Sequence, residues 1–377
     1  MPSHSSSSEL SSQRTRHNVK AKANPNHTKD RTNTKRTDEI LYRKPKVKEQ
    51  LEYARNGHAC LRNLLSPSII EQIRPALIET ANRNELVAWQ QKVHVASADS
   101  KQANIRPADS VVGCKEQLRI ILGLQDEDIS LPFLQYFNTW RTKGPNESND
   151  IYLLASRLAQ TASILLDVRS VRLYQDALFW KRCGQPVHAD EEEDSDVDGP
   201  TPWHVDARMA PFDTQSFLTF WIPLHRVESS GLIFCSKTHS DFALPYWHGE
   251  PPSDEEDETN FDPKNAWNAL EDRYRNHPLV DYMPLDVGDV TVHSGWTLHC
   301  ADPVDENSGE TGPVDGRMAL AISFVDARAP IRQSAKTKGD NEDSWSYRDW
   351  IDDVPSSVQD WDHHHVPILW PPKQCAS

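Results

Sequence analysis

Residues 288–301 read GDVTVHSGWTLHCA. Val, Thr and Trp crowd the stretch, Gly and Asp open it and a Ser-Gly pair interrupts it, so it reads as short strands around a turn. Working outward, SVRLYQDALFWKR (170–182), SFLTFWIPLHRV (216–227), SGLIFCSKTHS (230–240) and RMALAISFVDAR (317–328) carry the same signature. Upstream the pattern changes. HACLRNLL (58–65) reads as one more strand, and Ser66 or Ser68 can cap a helix whose apolar positions Ile69, Ile70, Ile73 and Leu77 recur at helical spacing. DIYLLASRLAQTASILLDV (150–168) is a second helical stretch. Helices first and many short strands after predict a mainly β chain, a double-stranded β-helix or jelly roll with an N-terminal helical shell.

The chain has 377 residues, 37% of them hydrophobic, enough to bury a sizeable core. Its net charge of -15 is uneven: residues 1–50 hold 12 Lys/Arg against 5 Asp/Glu, and the remainder is strongly acidic. An acidic body lacks the basic face that a nucleic-acid-binding domain presents, so no nucleic acid is expected on the folded part. Residues 1–48 are polar and aperiodic and are expected to form a basic disordered extension, leaving 49–377 as a single domain. Two acidic stretches interrupt that domain near 188–199 and 249–277; neither has the EF-hand spacing, and both read as solvated insertions. Six cysteines without paired spacing suit a reducing compartment. No apolar run approaches the roughly 18 residues of a membrane span. The expected location is cytoplasmic, with organelle targeting by the Ser- and Arg-rich head left open; the oligomeric state is not legible.

TPWHVDA (201–207) puts His204 and Asp206 two residues apart in an extended stretch, where side chains i and i+2 share a face. In a chain with 16 His and 56 Asp/Glu that spacing alone is a chance match. Its context makes it a candidate metal site. A further ligand must come from another strand, and HSGWTLHCADP offers His293 and His299. Two His and one carboxylate on one face, with positions left open, is the ligand set of non-haem Fe(II) oxygenases. Arg317 opens the next β segment, and a guanidinium there can clamp a carboxylate bidentately. The sequence contains no GxSxG elbow for a hydrolase. His363–His365 read as surface or packing residues, and the late tryptophans as a packing segment.

Taken in order, RLYQDALFWKRCG, PTPWHVDA, FWIPL, GDVTVHSGWTLHCADP and GRMALAISF resemble the phytanoyl-CoA dioxygenase family of Fe(II)/2-oxoglutarate-dependent oxygenases, over most of residues 50–330. The resemblance implies that His204, Asp206 and His299 ligate Fe(II) and that Arg317 holds the far carboxylate of 2-oxoglutarate. It places Trp221 in the co-substrate pocket and Gln175 near it, and leaves His293 beside the site or in the core. The implied reaction is hydroxylation or another oxidation of a small to medium organic substrate by dioxygen, with release of succinate and CO2. Asp206 stands where halogenases on this scaffold carry a small residue, which favours oxygenation. Cys300 and Ala301 depart from the Gly and Ser that often follow the distal His, so a hydrogen bond to the co-substrate is expected to be missing. The alternative is a catalytically silent binding protein on the same scaffold, its basic tail docking an acidic partner.

Overall fold

A computed structural model of the chain describes residues 42–99, 105–123, 130–131, 133–141, 150–181, 197–198, 200–241, 273–304, 316–337, 347–355 and 361–372. The basic segment up to residue 41 and most of both acidic insertions lie outside the described residues.

The N-terminal part runs α1 (Val47–Asn56), β1 (His58–Leu61), α2 (Pro67–Asp99), α3 (Val111–Leu122), β2 (Ser130–Leu131), β3 (Leu134–Phe137) and α4 (Asp150–Leu166). Then follow β4 (Val171–Lys181), β5 (Val197–Asp198), β6 (Thr201–His204), the single turn α5 (Asp206–Met209), β7 (Phe217–Pro223) and β8 (Leu232–Cys235). The chain closes with β9 (Leu279–Val280), β10 (Val290–Ser294), β11 (His299–Ala301), β12 (Arg317–Asp326), α6 (Gln333–Thr337) and β13 (Ile368–Trp370).

Local chemistry sets these boundaries. Gly57 ends α1 in the left-handed region (φ 82°), returns its N–H to Tyr53 O, and lends its own carbonyl to Ser294 N at the end of β10. The helix expected after Ser66 starts with Pro67, where a missing N–H costs nothing, and runs through Pro75 to Asp99. Helix α3 and strand β3 were not among the sequence expectations.

Two antiparallel sheets carry the fold. The larger is ordered β1-β10-β7-β12-β4-β13, with β3 added on β4; the smaller is β6-β11-β8-β9. This is the expected jelly-roll core with its helical shell. Alternation along the large sheet sorts side chains by face. Leu218, Phe220 and Ile222 of β7, and Met318, Leu320, Ile322 and Phe324 of β12, join the main hydrophobic core with α2, α3 and α4. Their neighbours Thr219, Trp221, Ala321 and Ser323 face the interior between the sheets. On β4 the alternation slips: Ser323 pairs with Gln175 but Phe324 with Leu173, so Tyr174 is an extra residue in a bulge. Leu173 therefore faces the helices while Gln175, Ala177 and Phe179 face the interior.

The C-terminal segment is clamped from within. The buried Arg172 guanidinium donates to Ala327 O (2.6 Å), Trp361 O (2.9 Å) and Val366 O (3.0 Å) and lies 3.7 Å over the Trp361 ring. Trp350 and Trp361 pack in one core cluster with Phe212 and Tyr174, the packing role expected of the late tryptophans.

Candidate metal centre

His204 is the last residue of β6, Val205 stays extended (φ −127°, ψ 130°) and Asp206 opens α5, so the i, i+2 relation works across a strand end. Ala207 N, bonded to Gly295 O at 2.9 Å, fixes that turn against the loop between β10 and β11. Strand β11 pairs with β6 so that His299 lies opposite His204, and the two rings stand 4.2 Å apart. Asp206 Oδ1 is 3.6 Å from Nε2 of each imidazole. One donor atom from each of the three residues lies within 4.8 Å of the others, and this is the one such group among the described residues.

Donors and acceptors around the triad show what it is built to hold. Nδ1 of His204 faces Pro202 O and Nδ1 of His299 faces Thr297 O, both at 2.9 Å. A neutral imidazole has one N–H, and a carbonyl can only accept, so the proton belongs on Nδ1 and Nε2 keeps its lone pair. Two lone pairs and a carboxylate oxygen then converge, an arrangement that asks for a cation. The second carboxylate oxygen is already occupied. Oδ2 accepts from Thr219 Oγ1 at 2.6 Å and from His293 Nε2 at 3.0 Å, while Ser323 supports the Thr219 hydroxyl at 3.0 Å. Oδ1 is thereby the oxygen left for a metal, with supporting bonds of the kind that orient ligands. The triad thus fits a divalent ion of the nitrogen- and oxygen-preferring kind, iron among them.

The titration behaviour has the same cause. Burial alone would raise the Asp206 pKa, but the imidazoles of His299, His204 and His293 outweigh it and hold the carboxyl well below its usual range. Burial and the neighbouring imidazoles His204 and His293 push His299 well below an ordinary histidine. Burial would lower His204 too, but the negative charge of Asp206 beside it raises it above the ordinary value. A positive charge between these groups is favoured, whether proton or metal.

The triad stands in a cavity of about 320 Å³. Arg317, Trp221 and Gln175, the three co-substrate candidates, all line it. Arg317 is 3% exposed, and its guanidinium lies 5.7 Å from the Trp221 ring centroid. His225 helps fix that strand end by accepting from Met318 N at 2.9 Å through Nε2 while Nδ1 donates to Arg226 O. Counting in twos from Arg317 reaches Ala319, Ala321 and Ser323, so the sequence contained the signal for Ser323; Thr219 follows likewise from Trp221. The contribution of α2, whose Ala88, Gln91 and Lys92 close one wall, had no sequence signal. Burial pushes the Cys300 thiol up to about 12, as suits a packing residue rather than a reactive one. His363–His365 form no second metal-ligand group among the described residues. No described helix is long and apolar enough to cross a membrane.

The family model of phytanoyl-CoA dioxygenase (PhyH) matches residues 173–306. No curated protein matches the sequence. Among solved structures, the fold is similar to the non-heme alpha ketoglutarate dependent carbocyclase SnoK from nogalamycin biosynthesis, at 18% identity and a TM-score of 0.51, covering 86% of this chain and 96% of that one. The epimerase SnoN of the same biosynthesis aligns at 18% identity and 0.46 over 85% and 97% of the two chains. EctD from S. alaskensis with bound Fe aligns at 13% and 0.42 over 76% and 79%. The stretch that matches the phytanoyl-CoA dioxygenase model, residues 173–306, holds the whole of the candidate triad.

Proposed function

We propose that this protein hydroxylates or otherwise oxidises a small to medium organic molecule, consuming dioxygen and 2-oxoglutarate and releasing succinate and CO2. In the hydroxylation, one oxygen atom ends in succinate and the other in the product, and the keto acid supplies two of the electrons. The observation that carries the proposal is the convergence of two imidazole lone pairs on Asp206 Oδ1, with both Nδ1 protons tied to carbonyls.

His204, Asp206 and His299 are the iron ligands in this reading. Iron bound there supplies the open coordination positions and the redox chemistry that couple decarboxylation of the keto acid to oxidation of the substrate. The protein's residues do the rest. Arg317, buried and supported by the indole of Trp221, presents a guanidinium whose fork matches the far carboxylate of 2-oxoglutarate. Ala321, the register partner of Trp221 on β12, lines the same cavity with only a methyl group. Thr219 and His293 hold Asp206 to a single metal-facing oxygen, which keeps positions free for the reactants. The apolar lining, including Leu232 and Phe179, limits water.

The test is anaerobic titration of metal-free protein with Fe(II) and then 2-oxoglutarate, followed by the weak visible charge-transfer band of the chelated keto acid. The expected result is one band per chain, absent in His204→Ala, and needing about tenfold or more 2-oxoglutarate in Arg317→Ala, the usual worth of a lost charge-assisted bond. A well-folded wild type without the band overturns the proposal and leaves a non-catalytic binding scaffold.

A further inference from the structure

Two buried amide oxygens in the cavity have no part in the chemistry described above. Gln175 Oε1 and Asn138 Oδ1 are shut off from solvent without a hydrogen-bond partner among the described residues, and both residues line the cavity. Buried polar atoms are normally paired, and those that are not mark a place where a ligand completes the bond.

The backbone departs from regularity twice to put these amides there. The bulge at Tyr174 shifts the parity of β4; without it Gln175 would share the helix-facing side of Leu173. Asn138, just beyond β3, adopts a left-handed backbone (φ 55°), held by its N–H to Asp176 O at 2.8 Å. That conformation is unusual outside glycine, and asparagine is among the few side chains that tolerate it. Strained backbone that serves a site is where function concentrates. Asp176 follows Gln175 in sequence, so the two departures are adjacent.

Their position sets them apart from the co-substrate anchor. Across the large sheet His293, Thr219, Ser323 and Gln175 are register partners in one row, level with the metal ligands. Arg317 lies further along β12, whereas β3 and Asn138 lie on the other side of β4 from β12. Gln135 and Gln91 add two more amides on that side, and Phe137 and Met209 supply apolar contacts at its rim. The described cavity, about 320 Å³, is at the small end for a ligand pocket and has to accommodate the keto acid as well.

We propose that the substrate is a small polar molecule whose hydroxyl, amine or amide groups are read by Asn138 and Gln175 on the β3 side of the metal, and not a long apolar acyl chain. This rests on the oxygenase reading and assigns Gln175 to the substrate, where the sequence resemblance placed it near 2-oxoglutarate. Whichever end of each amide faces the ligand, it asks for a hydrogen-bonding partner that an alkyl chain lacks.

The experiment uses the full chain loaded anaerobically with Fe(II) and 2-oxoglutarate. Amino acids, hydroxy acids and polyols are added against medium-chain fatty acids, reading the shift of the charge-transfer band, then succinate release on admitting oxygen. Asn138→Gly removes the amide while keeping a residue at home in the left-handed region, and Gln175→Met keeps the length. A polar probe is expected to shift the band while fatty acids do not. Each variant raises that probe's half-saturating concentration about tenfold or more, the cost of a lost buried hydrogen bond. The 2-oxoglutarate half-saturation of Asn138→Gly stays at the wild-type value. The proposal is overturned if only fatty acids act, if no probe moves the band, if the variants leave the polar probe's half-saturation in place, or if they raise that of 2-oxoglutarate instead. A wild type that forms no band is a different failure, that of the oxygenase reading itself.

Discussion

Two carboxylates, one fully buried on β4 and one half-buried at the metal centre, behave in opposite ways. Asp176 on β4, 1% exposed, accepts from Thr139 N at 3.1 Å, from Trp140 N at 3.3 Å and from the Thr139 hydroxyl, closing the start of a short 3-10 turn. Burial raises its pKa to about 6, and those bonds and Arg141 only partly offset the rise. Asp206 is pushed the other way, because three imidazoles outweigh its burial. Burial raises the pKa at both places, so the surroundings decide the sign. N–H and O–H donors complete Asp176 as it stands. Around Asp206 only Oδ2 is completed by donors, and Oδ1 faces lone pairs that a cation has to reconcile. The first carboxylate holds the fold and the second is fitted to hold an ion.

Removing each acid separates the two roles. Asp206→Ala is expected to abolish iron binding and lower succinate formation at least about a thousandfold, the several kcal/mol that a catalytic metal supplies, with little loss of melting temperature. The donors it leaves, Thr219 and His293, line the cavity, where water can replace the lost bonds. Asp176→Ala leaves a set of donors buried and bare, so unfolding in urea should reveal a loss of about 3 kcal/mol with iron affinity unchanged. If the Asp206 variant proves the unstable one, or the Asp176 variant the one that loses iron, the division between the two carboxylates is wrong.

His293 lies between the two roles, since it touches the metal-fitted carboxylate without joining the triad. His293→Ala is expected to weaken iron binding about 10- to 100-fold, as removal of a ligand's supporting bond does. His293→Gln, which keeps an N–H within reach of Oδ2, should recover part of it. Isothermal titration with Fe(II) or Co(II) reads both. Equal affinity in wild type and His293→Ala would mean that Thr219 alone orients Asp206.

How far the sequence revealed this centre follows from which contacts are local. The strands showed in composition, and His204, His299 and Arg317 each sit at a strand end, with Asp206 two residues past one, where a motif could mark them. Trp221 and Gln175 entered through the family resemblance, and both line the cavity. What stayed hidden depends on pairing between distant segments. LQYF of β3 is too short and too ordinary to be read as a strand until β4 pairs with it. The bulge at Tyr174 appears only in register with β12, and without it an alternation argument puts Gln175 on the wrong face. Alternation from Trp221 puts Thr219 on the cavity face, but its hydroxyl bond to Asp206, 13 residues away, shows only once the turn after β6 packs on β7. His293 was left either beside the site or in the core, because its donation to Asp206 needs β10, β7 and the turn after β6 to be assembled.

The smallest expected effect is also the sharpest test of the comparison, because it reads the charge of Asp176 directly. Its pKa is about 6 in the folded chain against 3.8 as the ordinary value. Between those values the folded protein keeps a proton that the unfolded chain has released. The stabilisation is therefore complete below about pH 4 and disappears as the pH climbs through 6, with a slope of about 1.4 kcal/mol per pH unit at most. Other carboxylates, Asp206 among them, tilt stability the opposite way over part of this range, so the total curve hides the contribution. The difference between wild type and Asp176→Asn isolates it: Asn cannot ionise, and its carbonyl oxygen can still accept from Thr139 N. Stability measured by urea unfolding should fall less steeply, or rise more steeply, in the variant than in wild type between pH 4 and 6. Parallel curves across that window would mean that Asp176 is already ionised in the folded protein near pH 5, and that the donors around it, like the imidazoles around Asp206, outweigh its burial.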